Sequence, residues 1–221
     1  MTARAFVRDP KGTTTGGRFS SDPGAAKPLE GAKAVERLVG LMSDAYAGGL
    51  EQDENFALDN YVGPGHYGPI NMIQRQFNGD VDAWAASDPY NRAQITTQRR
   101  NLAGLDSVFA KAPALDQDVV VYRSVYGEMF ANVKVGDELT DNGYISTTVQ
   151  RRIAEDWATN GTVFKIRVPK GTKAVYPNSL LANPNAREQE VLLRRHRFRV
   201  TKIAAGRGRG GNRVIELDVA A

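Results

Sequence analysis

The sequence predicts an α+β fold, with helices first and an antiparallel-rich β core after them. Three observations carry this. Between residue 29 and about residue 112, apolar residues recur at helical spacing. After Asp116 they fall into short runs and strict alternation, interrupted by one short helical stretch. The pattern therefore lacks the repeated strand–helix–strand rhythm of a doubly wound sheet. Residues 1–28 fit neither half. They are rich in Gly, Thr, Ser and Pro, as in Lys11–Gly17, and cannot bury enough apolar surface to offset ordering entropy. They read as a mobile tail, with Phe6 or Phe19 docking locally, or as a docking or packaging tag. Residues 29–221 read as one domain.

The elements follow in order. Val35, Leu38, Val39, Met42 and Tyr46 have the i, i+3, i+4, i+7 spacing of one buried helix face, and Gly48–Gly49 ends that helix. Pro69 suits a first helical turn because its φ is preset and it has no N–H to leave unpaired. Ile70, Ile73 and Phe77 then form that helix's apolar face. Ser87–Asp88–Pro89 is a further start, with Ser87 or Asp88 as the cap. Ile95, Leu102, Leu105, Val108 and Phe109 continue it, and Pro113 closes it. Strands are expected at Asp118–Arg123 and Gly143–Thr148, then a helix from about Gln150 to Ala158. Thr162–Val168 alternates as a half-buried strand does, and Pro169–Gly171 is a turn. Ala174–Tyr176 and Glu190–Leu193 read as further strands. Arg195–Ile203 and Arg213–Val219 read as a terminal hairpin joined by Gly206–Gly211.

Composition narrows the chemistry. Of 221 residues, 41% are hydrophobic and 24% charged, the balance of a water-soluble globular chain. The absence of cysteine excludes a disulfide framework, thiolate zinc sites and a cysteine nucleophile. His66 and His196 stand far apart, so no metal site is expected. No apolar run approaches the roughly 20 residues that span a bilayer, and no membrane partner is expected. Met1–Pro10 lacks the apolar core of a secretory signal. The net charge of +4 admits an acidic partner without naming one.

Three features carry possible chemistry. Arg123 ends a strand that is otherwise Val-Val-Val-Tyr, a place where a guanidinium sits at a cleft and suits phosphate, or forms a structural salt bridge. Ser146–Thr147–Thr148 offers hydroxyls that can orient a neighbouring carboxylate, or serve as ordinary strand residues. Glu188-Gln189-Glu190 precedes an apolar run. On an extended backbone, i and i+2 point to one side, so both carboxylates would share a face. Two carboxylates in one cleft repel, and one pKa rises. On an exposed strand they would be only a solvated face.

The order Arg123, Ser146–Thr148, Glu188–Glu190, each beside a strand, resembles the R-S-E class of mono-ADP-ribosyltransferases. The likeness is to the enzymatic components of clostridial binary toxins and related phage and bacterial exoenzyme domains, over about Leu29 to Val219. Tyr67-Gly68-Pro69-Ile70-Asn71 looks like the family's helix lining the NAD pocket. Lys165–Gly171 looks like the strand and turn after its phosphate–nicotinamide loop.

The resemblance implies a core of two sheets with an NAD cleft between them, NAD+ as substrate, and no metal. Arg123 would hold NAD through its phosphate and ribose region. Ser146 would hold Glu190, and Tyr67 and Thr147 would line the pocket. Glu190 would accept a hydrogen bond from the nicotinamide-ribose 2′-OH, stabilising positive charge on the sugar as nicotinamide leaves. Glu188 would orient and deprotonate the acceptor. In this family a Glu there goes with transfer to arginine, whereas Gln would suit a neutral acceptor. Trp157 would pack on nicotinamide or be a buried core aromatic. Asn71 would bond the adenosine side.

The sequence also departs from the family. Ser124 follows Arg123 where Gly is frequent. The loop Asn178–Asn185 has no aromatic to meet the target, leaving Leu180 and Leu181 as substitutes. Asn160 stands where a phosphate-binding Arg is expected, with Arg151 or Arg152 nearby.

The expected activity is therefore transfer of ADP-ribose to arginine of a protein target. The alternatives are an NAD glycohydrolase and a virion-packaged structural protein with a degenerate domain. The complete Arg123, Ser146, Glu188 and Glu190 set argues against degeneracy. Arg194, Arg195, Arg197 and Arg199, with Arg207 and Arg209 among glycines, form a solvated hairpin or a nucleic-acid contact. A nucleic-acid-linked acceptor stays open. A monomer acting in the cytoplasm of a target cell is expected. Gly17–Ser20 looks similar to tails of some phage-encoded proteins, which would suit delivery with a virion.

Overall fold

Helices occupy the first half of the chain, as the apolar spacing requires. The computed structural model describes residues 7–8, 26–63, 65–158, 161–182, 188–204 and 211–220. Helix α1 spans Gly31–Ala45, α2 Gln52–Val62 and α3 Tyr67–Gln76. Short helices α4 (Val81–Ala86) and α5 (Pro89–Ala93) lead to α6 (Ile95–Lys111). Asp88 caps α5 by accepting from the Tyr90 amide at 2.7 Å, as the Ser-Asp-Pro signal predicts. Gln94 then breaks the expected single helix, serving as C-cap of α5 and N-cap of α6.

Helix α1 differs from its pattern in one respect. The core takes Ala34, Leu38 and Met42, with Tyr46 nearly covered, while Val35 is half-buried and Val39 is 41% exposed. The apolar stripe is wider than the face the core accepts, so the helix settles on its i, i+4, i+8 row.

Helix α2 lies against α6 at very short range. A Cβ on Gly104 would stand 2.5 Å from the Ala57 Cβ, so only glycine fits there. The capping residues of α2 extend this contact. Glu54 is buried, and Lys111 at 2.8 Å and the Ser107 hydroxyl at 2.5 Å neutralise and bond it.

The strands are β1 (Val7–Arg8), β2 (Val119–Val125), β3 (Glu138–Thr148), β4 (Thr162–Val168), β5 (Glu190–Ala204) and β6 (Arg213–Val219). Helix α7 (Arg151–Trp157) joins β3 to β4. Among the described residues they form one sheet of order β1-β3-β2-β4-β6-β5, with a further β3–β5 pairing that closes it. All neighbours are antiparallel except β4 and β6.

Two strands read separately, Glu190–Leu193 and Arg195–Ile203, are one strand bent at Arg195, whose φ is +48°. Ala174–Tyr176 is not a strand. Val175 makes a single bridge to Leu192, and Pro177, without an N–H, begins a short 3-10 helix instead. The β5–β6 connection, Ala205–Gly210, lies outside the described residues.

The tail expectation falls largely outside the described residues too, including Phe6 and Phe19. Val7 and Arg8 are the exception, pairing with Thr140 and Leu139 of β3.

Closure of the sheet is incomplete where it matters. β3 pairs along most of its length with β5 but meets β2 at one residue pair, Tyr122↔Thr148. Beside the start of β2, Leu29 takes the vacant edge, donating to Asp118 O and accepting from the Val120 amide, each at 2.8 Å. Beyond Tyr122 the two strands part, and the core opens into a cleft between them.

Candidate active site

The cleft begins where backbone pairing stops, so side chains must supply the missing partners. Arg123, next to the one β2 residue that pairs with β3, does so across the gap. Its Nη1 donates to the Ser146 carbonyl of β3 at 2.8 Å. Its Nε is buried and has no hydrogen-bond partner among the described residues. Burial holds the guanidinium below its usual pKa, opposed by the nearby Asp141 carboxylate. A buried cation with an unanswered donor is a site prepared for an anionic or oxygen-rich ligand.

Glu190 opens β5 opposite Thr148 and is 8% exposed. Its amide donates to Asn178 Oδ1 at 3.0 Å, which anchors the start of the strand. Burial pushes its carboxyl up to about 7, with the Ser146 hydrogen bond and Arg123 opposing and Glu188 reinforcing. Ser146 thus stands beside the Glu190 carboxyl in the cavity wall. Thr147 and Thr148 act on the backbone instead. Their hydroxyls donate to Val191 O and Glu188 O, both at 2.6 Å, and lock the turn that carries the two carboxylates.

That turn corrects one expectation. Glu188 and Glu190 do not share a face through an extended backbone. Glu188 precedes the strand, and Gln189 between them has φ +43°, a left-handed conformation that is strained for a residue other than glycine. Both carboxylates nevertheless line one cavity, because the twist replaces the alternation. Glu188 is half-buried, and burial raises its carboxyl as well.

The cavity has a volume of about 530 Å³. Arg123, Ser146, Thr147, Glu188, Glu190, Asn71, Tyr67 and Trp157, the residues singled out from sequence, all line it. Trp157 is 67% exposed and Tyr67 57%, so neither is a core aromatic. They stand on α7 and α3, on two walls of the cavity.

Asn71 also has a structural duty. Its Oδ1 accepts from the Tyr144 amide at 2.9 Å, and its Nδ2 donates to the Tyr61 hydroxyl at 3.0 Å. Tyr61 in turn donates to Tyr144 O at 2.9 Å, so α2, α3 and β3 are bolted together behind the cavity.

Sequence reasoning missed Arg75. It lines the cavity and forms a bidentate pair with the fully buried Asp141, at 2.8 and 2.9 Å. A signal was available, since Tyr67, Asn71 and Arg75 lie at i, i+4 and i+8 on one helix face. Gly143 makes room for this pair. A Cβ there would stand 2.5 Å from Asn71 Oδ1 and 2.8 Å from Arg75 Nε.

The proposed substitutes fare less well. Arg151 and Arg152 pair with Glu155 and Asp156 along α7 and do not line the cavity. Leu181 is buried, and Leu180 is half-buried against the core. Asn160 and Asn183–Arg187 lie outside the described residues. Of the basic stripe, Arg194 pairs with Asp106 at 2.7 Å, and Arg195 donates to Gln74 at 2.8 Å. Arg207 and Arg209 are outside the described residues. No group of three or more His, Asp or Glu residues among those described could hold a metal ion, and no described helix is long and apolar enough to cross a membrane.

Comparison with known proteins places this geometry in context. A sequence model of the ADP-ribosyltransferase exoenzyme family matches residues 41–220. A search of curated protein sequences found no match. The fold is similar to that of C3stau2 from S. aureus, solved with NAD, at TM-score 0.66 and 23% identity, covering 89% of this chain and 99% of that one. It is similar to Plx2a, an ADP-ribosyltransferase toxin from Paenibacillus larvae, at TM-score 0.63 and 19% identity, covering 86% and 96%. It is also similar to the ADP-ribosyltransferase Vis, solved in complex with agmatine, at TM-score 0.58 and 18% identity, covering 88% of each chain. At these identities the structural likeness establishes the fold.

Proposed function

Because the chain belongs to the ADP-ribosyltransferase exoenzyme family, we propose that it moves ADP-ribose from NAD to an arginine side chain of a protein, releasing nicotinamide. One observation carries the reading. Two carboxylates enter one cavity in unequal environments, Glu190 buried beside Ser146 and Arg123, Glu188 half-buried at the turn before it.

Arg123 suits the phosphate and ribose region of NAD, since its Nε is the unanswered buried donor. Tyr67 and Trp157 offer exposed rings at the cavity wall that suit the flat, cationic nicotinamide. Glu190, once ionised, accepts from the ribose 2′-OH while the bond from ribose to nicotinamide breaks. Nicotinamide leaves as a neutral molecule with that bond's electron pair, and positive charge grows on the sugar beside the carboxylate. Glu188 orients the acceptor guanidinium and takes the one proton it loses as its nitrogen bonds to the ribose carbon. A guanidinium is otherwise always protonated, which is why a second carboxylate is needed. The structural likeness to Vis, bound to the guanidine compound agmatine, supports this acceptor class.

Labelled NAD with agmatine, and with a bacterial lysate, tests the assignment. Glu190→Gln is expected to lower both transfer and NAD hydrolysis by roughly 10²–10³-fold, the scale of losing a transition-state electrostatic contact. Glu188→Gln is expected to abolish transfer to arginine while keeping most NAD hydrolysis. Equal loss of both activities in Glu188→Gln would remove its role at the acceptor.

A further inference from the structure

Glu190 is reached from its outer side by a chain segment that the reaction has not yet used. There, Val175 and Leu192 exchange both backbone hydrogen bonds, at 3.0 and 2.8 Å. In an antiparallel ladder the next such exchange, two residues along, would join Pro177 to Glu190. It cannot form. Pro177 has no N–H. Its carbonyl already accepts from the Leu180 and Leu181 amides, at 2.9 and 3.0 Å. The Glu190 amide is thus left without a backbone acceptor at the point where pairing stops. Asn178 supplies one from its side chain, Oδ1 accepting at 3.0 Å. Only the oxygen of that amide group can accept, so the bond fixes how the side chain is turned.

The turn needs such holds. Gln189 keeps a φ of +43°, and backbone strain of this kind persists only where the surroundings over-determine it. Three contacts do so, one for each residue of the turn. The Thr148 hydroxyl donates to Glu188 O at 2.6 Å, the Val149 amide to Gln189 O at 3.4 Å, and Asn178 takes the Glu190 amide. The middle contact is long, so the two side chains carry the geometry. Asn178 itself has a firm base. Pro177 begins the 3-10 helix, the Ser179 hydroxyl donates to Tyr176 O at 3.0 Å, and the Tyr176 amide donates to Met42 Sδ of α1 at 3.5 Å. Asn178 is half-buried and is not among the residues lining the cavity.

We propose that Asn178 is a positioning residue for the reaction: by holding the Glu190 amide it sets the direction in which the Glu190 carboxylate enters the cavity. It touches neither NAD nor the acceptor, and takes the place of the strand partner that Pro177 cannot be. This rests on the reading of Glu190 as the carboxylate that handles NAD, and not on the acceptor being arginine.

The test is NAD hydrolysis, with kcat and KM for NAD measured from about pH 5 to about pH 9. Asn178→Ala is expected to lower kcat roughly 10–100-fold, the scale of a small misplacement of a reacting group, with KM within about twofold. Asn178→Asp keeps an oxygen in the Oδ1 position, so its kcat at high pH is expected within about threefold of the parent. Its new charge adds to those already acting on Glu190, namely Glu188 in the turn and Arg123 on β2, with the Tyr61 hydroxyl of α2 nearby. The acid limb is therefore expected to move up by about one pH unit. Loss of melting temperature in Asn178→Ala with kcat unchanged would make the bond merely structural and overturn the proposal. So would an Asn178→Asp variant as slow as Asn178→Ala at high pH, or one whose acid limb stays in place. If Asn178→Ala does not fold, Asn178→Asp alone decides by these two readouts. Glu190→Gln separates the two readings: full hydrolysis in that variant removes the role of Glu190 itself, whereas its loss beside an unaffected Asn178→Ala removes only the role of Asn178.

Discussion

Glu190 illustrates how a single residue trades stability for chemistry. Its carboxyl is raised from the usual range to about 7, chiefly by burial. In the unfolded chain the same group ionises near pH 4.5. Between these values the unfolded state has released a proton that the folded state keeps, so stability falls as pH rises from about 4.5 to about 7 and then levels off. The contribution is on the order of 3 kcal/mol, following the linkage of pKa shift to free energy. Glu190→Gln removes it. The variant is expected to melt at a higher temperature than the parent chain at pH 8 and at nearly the same temperature at pH 4.5. An equal shift at both pH values would show that ionisation of Glu190 is not the cause. Activity runs the other way, since only the ionised group accepts from the ribose hydroxyl. The acid limb of kcat/KM is expected near pH 7.

At the scale of elements, α3 is held to β3 by polar contacts that apolar periodicity does not reveal. Ile70 and Ile73 bury as their spacing predicts. Asn71 and Arg75, on the face toward the cavity, are fixed by Tyr144 and Asp141 from a bulged stretch of β3. Asp141→Asn leaves the Arg75 charge buried without its counter-ion. Urea unfolding is expected to register a loss of about 3–5 kcal/mol, the usual result of breaking a buried pair from one side. Replacing both partners, as Arg75→Met with Asp141→Leu, is expected to recover most of it. A loss below about 0.5 kcal/mol in Asp141→Asn would mean that α3 is held by its apolar contacts alone. The same reasoning explains why α1 and the Glu-x-Glu turn departed from their patterns. A stripe of apolar residues tells which side of a helix is buriable, while the neighbour it meets decides how much of that side is buried. An i, i+2 argument holds only where the backbone is extended, and Gln189 is not.

For the whole molecule, the decisive feature is the single pair joining β2 to β3. Beyond that pair the Arg123 side chain, and not the backbone, spans the gap to the Ser146 carbonyl. A ligand bound across this gap ties the two strands together and stabilises only the folded chain. NAD at a hundred times its dissociation constant is expected to add about 2.7 kcal/mol, visible as a rise in melting temperature. Arg123→Ala is expected to lose that rise, having lost the buried donor in the gap. A variant that retained the full shift would place the NAD contact elsewhere.

From the sequence alone come the chemical inventory and its order along the chain. Arg123, Ser146, Glu188 and Glu190 are named by residue type and by the strands beside them, and the change from helical to alternating periodicity locates those strands. These are local properties, legible because side-chain spacing follows backbone geometry. Tertiary structure decided the rest. Trp157 could be core or cavity wall, Arg75 shared a helix face with Tyr67 and Asn71 but found its place only against Asp141, and Val39 belonged to a stripe the core did not fully use. The pKa of Glu190 depends on atoms from three strands and a turn. Each of these rests on contacts between residues far apart in the chain, and burial, unlike periodicity, is set by what the fold brings alongside.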